Sequence, residues 1–293
     1  PPMELEDRFV TVDGVRLHYV EAGEGPLVVL LHGFPEFWWS WRRQIPALAA
    51  AGFRVVAVDQ RGYAQSDRPP HWRDYRMERL AADVAGLIEA LGEERAHVIG
   101  HDWGAAVAWA VATLHPERVE RVAILNVPHP ERMEHALRTS PRQVLHSWYM
   151  FFFQIPWLPE RLMRLGGRRT LERAYADARP GAFTAEDLAR YEQALLGPGG
   201  LKGPIDYYRA ALRRTPSSNR ALYRPIPAPV LVIWGEQDRF LGAGLADPDP
   251  RLVPDVRVVR LPQASHWVQH DEPAEVNRLL LEFLGVAAPV ATT

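Results

Sequence analysis

The sequence contains no cysteine, and Lys202 is its only lysine. The absence of cysteine excludes disulfide bonds, thiolate nucleophiles and cysteine-ligated metal sites. The chain also lacks an apolar run of about 18 residues that would span a membrane, and its acidic start, residues 1–9, does not have the form of a signal peptide. We therefore expect a soluble, cytoplasmic protein with no membrane partner.

The chain also has no strong excess of charge of either sign. Its formal net charge is −2 at pH 7. A chain with so little net charge has no electrostatic field that would gather nucleic acid or anionic lipid. We expect a small neutral molecule as its partner and no nucleic acid. The 293 residues, 47% of them hydrophobic, suffice for one large α/β core with an insertion.

Apolar runs alternate with helix-like segments through the first 128 residues. Residues 9–20 predict a β-hairpin, with Asp13 and Gly14 at its turn. Buried strands are predicted at residues 26–31, 54–59, 96–100, 119–126, 229–234 and 256–261, and helices at residues 41–51, 76–91 and 275–284. Alternation of this kind predicts an α/β protein with a mostly parallel, doubly wound sheet.

The strand pattern disappears between residues 129 and 225, where aromatic and arginine-rich helical pieces are broken by proline and glycine. We interpret this segment as a helical cap, or lid, inserted after the sixth core strand. Residues 1–128 and 226–293 then form the core domain.

The sequence GHDWG at residues 100–104 joins a predicted strand to a predicted helix. Gly100 and Gly104 remove the Cβ atoms that would clash at so sharp a corner, which is the geometry of a nucleophile elbow. The usual elbow carries serine, whereas this one carries Asp102. A carboxylate is already ionised near pH 7 and attacks carbon without a base to activate it. The alternative is that Asp102 only caps the following helix.

Two later strand ends provide the partners that such a nucleophile needs. Asp238 follows the strand at residues 229–234, and His266 follows the strand at residues 256–261. The carboxyl ends of parallel strands line one crevice, so both side chains can converge with Asp102. The order of nucleophile, acid and histidine is typical of the α/β-hydrolase arrangement. We expect Asp102 to form an alkyl ester and His266, oriented by Asp238, to activate the water that hydrolyses it.

Hydrolysis of an ester also requires an oxyanion hole. The backbone N–H groups of Phe34 and Trp103 are predicted to form it. His101, by contrast, is interpreted as a structural residue.

Four motifs together resemble the soluble epoxide hydrolases of the α/β-hydrolase fold: HGFPE at residues 32–36, WWSWRRQIP at 38–46, DQRGY at 59–63 and GHDWG at 100–104. The similarity runs over nearly the whole chain. It implies an enzyme that opens an apolar epoxide to a vicinal diol with no metal or organic cofactor. Haloalkane dehalogenases share the fold, the aspartate and the adjacent tryptophan, so that activity stays open. A small-molecule receptor on the same fold is a third hypothesis.

The leaving groups distinguish the two enzymes. A halide is a weak base that needs only N–H donors, whereas an epoxide oxygen becomes a strongly basic alkoxide that needs an acid. The resemblance implies that Tyr149 and Tyr208 supply this acid, in the stretches at residues 148–156 and 203–209, with Tyr207 as the alternative to Tyr208.

The aromatic cap suggests an apolar substrate. The side chains expected to line its site are Trp38, Phe151, Phe152, Trp157 and Trp267.

Overall fold

The computed structural model describes residues 5–286 and contains an eight-stranded sheet. Its strand order is β1-β2-β4-β3-β5-β6-β7-β8. Strand β2 runs antiparallel to both of its neighbours, and all other neighbouring strands are parallel. The predicted mostly parallel sheet is therefore confirmed. The strands are β1 (Glu6–Val12), β2 (Val15–Ala22), β3 (Leu27–Leu31), β4 (Arg54–Val58), β5 (Ala96–His101), β6 (Val119–Leu125), β7 (Val230–Gly235) and β8 (Val256–Leu261).

Helices cover both faces of the sheet, and eight α-helices lie between β6 and β7, which confirms a helical insertion after the sixth strand. The helices outside the insertion are α1 (Ile45–Ala50), α2 (Met77–Ala90), α3 (Trp103–Leu114), α12 (Val268–Asp271) and α13 (Pro273–Phe283). The inserted helices are α4 (Pro130–Thr139), α5 (Pro141–His146), α6 (Trp148–Phe152), α7 (Leu158–Gly166), α8 (Arg168–Ala174), α9 (Ala185–Leu195), α10 (Lys202–Leu212) and α11 (Pro216–Ala221). Within residues 5–286, no helix is both long and apolar enough to cross a membrane.

The apolar run of β3 explains why the sheet is covered on both sides. Successive side chains of a strand point to opposite faces. Val29 and Leu31 pack in the hydrophobic layer that contains α2 and α3, whereas Val28 and Leu30 pack in the layer that contains α1 and α13. All four side chains are fully buried, and each contributes about 1.5–3 kcal/mol of burial free energy.

The helix predicted at residues 41–51 is wrong at its start. A short 3₁₀ helix, Trp38–Trp41, comes first, and α1 begins only at Ile45. Pro46 occupies the first turn of α1, where its missing N–H would have no partner within the helix. The proline therefore marks the beginning of the helix, and the preceding aromatic residues belong to a separate turn.

The connection between β5 and α3 is a single residue, Asp102, with φ 50° and ψ −123°. A non-glycine residue with positive φ is strained and persists only where its surroundings fix it. Those surroundings are tight: a Cβ on Gly100 would lie 2.2 Å from the carbonyl oxygen of Gly104, and one on Gly104 would lie 1.9 Å from that of Leu31. The glycines thus allow strand and helix to meet at this corner.

We expect Gly104→Ala to lower the free energy of unfolding by about 3 kcal/mol, because the backbone of Leu31 and His32 has to move away from the new methyl group. The matched control is Gly244→Ala, at an exposed position where a Cβ meets no heavy atom within 4 Å. The control should change stability by less than about 0.5 kcal/mol. Urea unfolding of both variants measures the difference, and equal stabilities would contradict this account of the corner.

Candidate active site

The carboxylate of Asp102 faces the loop that follows β3. Its Oδ1 accepts a hydrogen bond from the backbone N–H of Phe34 at 2.7 Å. Gly33 permits this approach, because a Cβ there would lie 2.2 Å from the Cβ of Asp102. Burial opposes ionisation of Asp102, but the hydrogen bond and positive charge of His266 outweigh it and hold its pKa below the usual value. The side chain is therefore an ionised carboxylate whose Oδ1 is fixed by the loop after β3.

His266 lies between two carboxylates. Its Nε2 is 3.3 Å from Oδ2 of Asp102, and its Nδ1 is 2.6 Å from Oδ2 of Asp238. Burial lowers the pKa of His266, but the two negative charges and their hydrogen bonds outweigh burial and raise it well above its usual value. The imidazole is thus oriented through Nδ1, and it is positively charged near neutral pH.

Asp238 is fixed in turn by backbone and side-chain donors. Its Oδ1 accepts from the backbone N–H groups of Phe240 and Leu241, at 2.7 and 2.9 Å. Its Oδ2 accepts from Nδ2 of Asn126 at 2.8 Å as well as from His266. These donors compensate for the loss of water around a buried carboxylate.

Two tyrosines from the inserted helices share a cavity with Asp102. Tyr149 lies on α6 and Tyr208 on α10, with their ring centroids 5.8 Å apart. Both line a cavity of about 470 Å³ together with Asp102 and Trp103. Burial, reinforced by the negative charge of Asp102, raises the pKa of both hydroxyls, so both keep their protons at neutral pH.

The neighbouring Tyr207 points elsewhere. Its hydroxyl donates to the backbone carbonyl of Arg61 at 2.7 Å, and its ring packs edge-on against Tyr63. Of the two tyrosines that the sequence left open, Tyr208 is the one that lies with Asp102.

The family of this chain is shown by its similarity to known proteins. A family model described as the alpha/beta hydrolase fold matches residues 26–273. The chain belongs to the alpha/beta hydrolase fold family. Its predicted resemblance to the epoxide hydrolases of this fold is also confirmed by its similarity to proteins of that name.

This hydrolase has close curated and structural relatives. It is 44% identical to the AB hydrolase superfamily protein YfhM of Bacillus subtilis, over 94% of this chain and 97% of that protein. It is 38% identical to human epoxide hydrolase 4, over 92% of this chain and 76% of that protein. The crystal structure of epoxide hydrolase A from Mycobacterium thermoresistibile superposes with a TM-score of 0.85 at 35% identity, covering 98% of this chain and all of that one.

In this hydrolase, Asp102 lies in a cavity that none of the five predicted substrate-lining side chains borders. Phe151 is 49% exposed and Trp157 is 67% exposed. Residues two apart on a helix point to opposite sides, so on α6 the inward position of Tyr149 turns Phe151 outward. Trp157, which precedes α7, lines a separate surface groove.

The other three predicted lining residues pack against neighbouring aromatic rings. Phe152 packs against Phe153, and Trp38 packs edge-on against its neighbour Trp39. Trp267 is buried behind the imidazole of His266 and donates from its indole to Asp177 at 3.1 Å. The walls of the cavity that holds Asp102 are instead largely aliphatic, and the role of the five aromatic residues in substrate binding stays a prediction. The aliphatic wall residues are Val127, Met133, Leu137, Met150, Leu212, Leu222 and Leu241.

Sequence reasoning missed a buried polar cluster next to the site. Glu36 accepts hydrogen bonds from Ser40 and Tyr191, both at 3.0 Å, and lies 2.7 Å from Nε2 of His270 and 3.2 Å from Nδ1 of His101. The second nitrogen of His101 lies 2.8 Å from the carbonyl oxygen of His266. This supports the structural interpretation of His101. The signal was present in the HGFPE motif, but nothing local shows which distant side chains meet there.

The predicted oxyanion donors differ in what surrounds them. Phe34 already donates to Asp102. Trp103 is the first residue of α3, and an N–H in the first turn of a helix has no partner within the helix.

No group of three or more His, Asp or Glu side chains within residues 5–286 is arranged to hold a metal ion.

We expect the pKa values of His266 and His129 to be shifted in opposite directions from the pKa of an ordinary histidine. The two carboxylates raise the pKa of His266, whereas burial lowers the pKa of His129 to about 4. At pH 6 the ¹⁵N spectrum of the side chains should therefore show a charged His266 and a neutral His129. Asp238→Asn should lower the titration midpoint of His266, and His266→Gln identifies its signal. A neutral His266 at pH 6 would contradict the electrostatics described here.

Proposed function

We propose that this hydrolase opens an apolar epoxide to a vicinal diol through a covalent ester on Asp102. The observation that carries the proposal is the shared cavity, where the carboxylate of Asp102 lies with the two protonated hydroxyls of Tyr149 and Tyr208. A nucleophile and an acid on one cavity are the two groups that opening of an epoxide requires. Relatives named epoxide hydrolases support the same activity.

In the first step, Oδ2 of Asp102 attacks an epoxide carbon while Oδ1 stays bound to the N–H of Phe34. The carbon–oxygen bond of the ring breaks, and the resulting alkoxide takes a proton from Tyr149 or Tyr208. Their raised pKa values keep the tyrosines protonated until this much stronger base forms.

In the second step, the ester itself prepares the base. Esterification removes the negative charge of Asp102 and its contact with Nε2 of His266, so the pKa of the imidazole falls. The proton that His266 loses passes to the tyrosinate formed in the first step and restores the tyrosine. The neutral His266, still oriented by Asp238 at 2.6 Å, then takes a proton from a water molecule.

The water attacks Cγ of Asp102, and negative charge develops on Oδ1. The N–H of Phe34 already binds this atom, and we propose the N–H of Trp103 as the second donor. A donor placed in this way is worth about 3 kcal/mol of transition-state stabilisation. Collapse breaks the bond between Cγ and Oδ2 and releases the diol with a proton from His266. The remaining proton of the water passes to His266, so that the charged imidazole and the carboxylate of Asp102 are both regenerated.

We also propose the domain division that this mechanism implies. Residues 129–225 form a cap that supplies both acids from α6 and α10. Residues 1–128 and 226–293 form the core that supplies Asp102, Asp238 and His266 from strand ends. The cytoplasmic location stays a prediction from composition.

His266→Gln should stop the cycle at the ester, because glutamine cannot take the proton of the water. Intact-protein mass spectrometry after addition of styrene oxide should show the mass of the whole epoxide on the variant, and peptide mapping should locate it at Asp102. Asp102→Asn is the control and should show no adduct. An alkyl group without its halogen, after addition of a haloalkane, would instead indicate a dehalogenase. No adduct with either substrate would favour a receptor.

Tyr149→Phe combined with Tyr208→Phe should lower kcat/KM for epoxides by about 10²–10⁴-fold, the usual contribution of a general acid. Tyr207→Phe is the matched control, because its hydroxyl bonds only to backbone away from the cavity, and it should keep nearly full activity. Circular dichroism checks that both variants fold. Full epoxide turnover by a folded double variant would contradict the assignment of these tyrosines as acids.

A further inference from the structure

Exposed apolar side chains are concentrated in one short segment of the inserted helices. Among the described residues, eight large apolar side chains are exposed, and seven of them lie within residues 145–165. The eighth is Phe9, on β1. A single exposed apolar residue is ordinary, whereas a cluster of them bordered by polar residues marks a site of contact with a protein or a membrane. The concentration in α5, α6 and α7 therefore indicates such a site.

The exposed residues of α6 and of the turn after it form one stripe. Trp148, Phe151 and Ile155 follow one another at spacings of three and four residues, so they lie on the same side of the helix. Tyr149 and Met150 point to the opposite side, where both border the cavity of the candidate active site. The helix therefore has one side in the cavity and an apolar side that faces solvent.

The leucines of α7 also face solvent, although this helix has a buried side. Pro159 is buried, and the carboxylate of Glu160 binds Arg209 of α10 at 2.6 Å. Leu162 and Leu165 lie on the other side, and Leu165 is 73% exposed. A helix at the surface of a globular protein normally turns its leucines toward the core. Packing within this chain therefore does not explain the apolar residues of α7.

The same segment is strongly basic. Residues 141–170 contain five arginines and one acidic residue, although the whole chain has a net charge of −2. Arg161 and Arg164 are exposed, and neither forms an ion pair or a side-chain hydrogen bond with another described residue. At the surface of the core, by contrast, Arg257 is paired with Glu282 at 2.8 Å. The positive charge of α7 is thus not neutralised by the protein itself.

We infer that the exposed side chains of residues 145–165, the inserted-helix surface, bind the surface of an anionic membrane. Apolar side chains of such a surface enter the boundary between headgroups and acyl chains, and arginines attract the negative charge of the headgroups. Trp148 and Trp157, which are both largely exposed, belong to the residue type that favours this boundary.

This inference does not depend on the proposed epoxide hydrolase activity. It changes the expectation, drawn from net charge, that the protein has no membrane partner. Net charge is a sum over the whole chain, and it does not report how arginines and apolar residues are grouped on one surface.

Charge favours a membrane over a second copy of this chain. A symmetric dimer places the same surface patch of each subunit against the other. It would therefore bring the unpaired Arg161 and Arg164 of both copies into one interface, where like charges are costly. An anionic membrane supplies the opposite charge over the whole surface.

The experiment is flotation of the full-length protein with lipid vesicles in a density gradient. Vesicles of phosphatidylcholine mixed with an equal part of phosphatidylglycerol should carry the protein to the top of the gradient. Vesicles of phosphatidylcholine alone should carry much less. Binding to the anionic vesicles should weaken as salt is added, because ions screen the attraction between exposed arginines and headgroups.

Two sets of substitutions test the two parts of the surface. Arg161→Gln combined with Arg164→Gln should lower partitioning onto the anionic vesicles about twentyfold, since each basic residue near such a membrane contributes about fivefold. Leu145→Ser, Leu162→Ser and Leu165→Ser together should lower it about a hundredfold or more, because less apolar surface leaves water on binding. Circular dichroism checks that both variants fold.

Each set has a matched control. Arg95→Gln combined with Arg257→Gln removes the same charge from exposed positions at the amino ends of β5 and β8, whereas Asp102 lies at the carboxyl end of β5. Phe9→Ser removes the one exposed large apolar side chain that the described chain has outside residues 145–165. Both controls should bind anionic vesicles as the wild type does.

Three results would overturn the inference, and none of them bears on the epoxide hydrolase proposal. The first is a wild-type protein that floats with neither kind of vesicle. If light scattering then shows a dimer that the leucine variant abolishes, the surface joins two copies. The second is equal flotation with both kinds of vesicle at every salt concentration. The third is wild-type flotation by the folded arginine and leucine variants.

Discussion

Two backbone segments approach each other so closely at Asp102 that no side chain fits between them. The loop at Gly33 lies against the Cβ of Asp102, and Gly104 lies against the carbonyl oxygen of Leu31. This contact holds Asp102 at φ 50° and brings its Oδ1 to the N–H of Phe34. The candidate site therefore depends on a packing constraint between β3, β5 and α3, because a wider separation would remove the hydrogen bond and release the strained residue.

The second requirement of the candidate site is that its buried charges have oppositely charged or hydrogen-bonding partners. Two carboxylates and an imidazole are removed from most of their water, which is costly unless each charge is paired and hydrogen-bonded. Asn126 contributes to this compensation without carrying charge: its amide donates to Asp238 at 2.8 Å and accepts from the N–H of Gly235 at 2.6 Å. It thereby ties the end of β6 to the end of β7 at the point where Asp238 leaves the sheet.

The inserted helices are held to the core by polar as well as aromatic contacts. Tyr191 of α9 bonds to Glu36, and Tyr175 donates to the carbonyl of Pro35 at 2.6 Å. Tyr208 packs edge-on against Phe34, with ring centroids 5.3 Å apart. These contacts bring α9 and α10 against the loop after β3, and Tyr208 then borders the cavity that holds Asp102.

The sequence by itself determined the features that depend on local pattern. The apolar run of β3 requires burial on both faces, the glycine spacing around Asp102 permits a sharp corner, and the order of Asp102, Asp238 and His266 suits one edge of a parallel sheet. Only the tertiary structure decided which face of α6 points inward and what Glu36 contacts. These features depend on how distant segments pack against one another. Periodicity along the chain specifies which side of an element is apolar, but it does not specify which neighbour that side will meet.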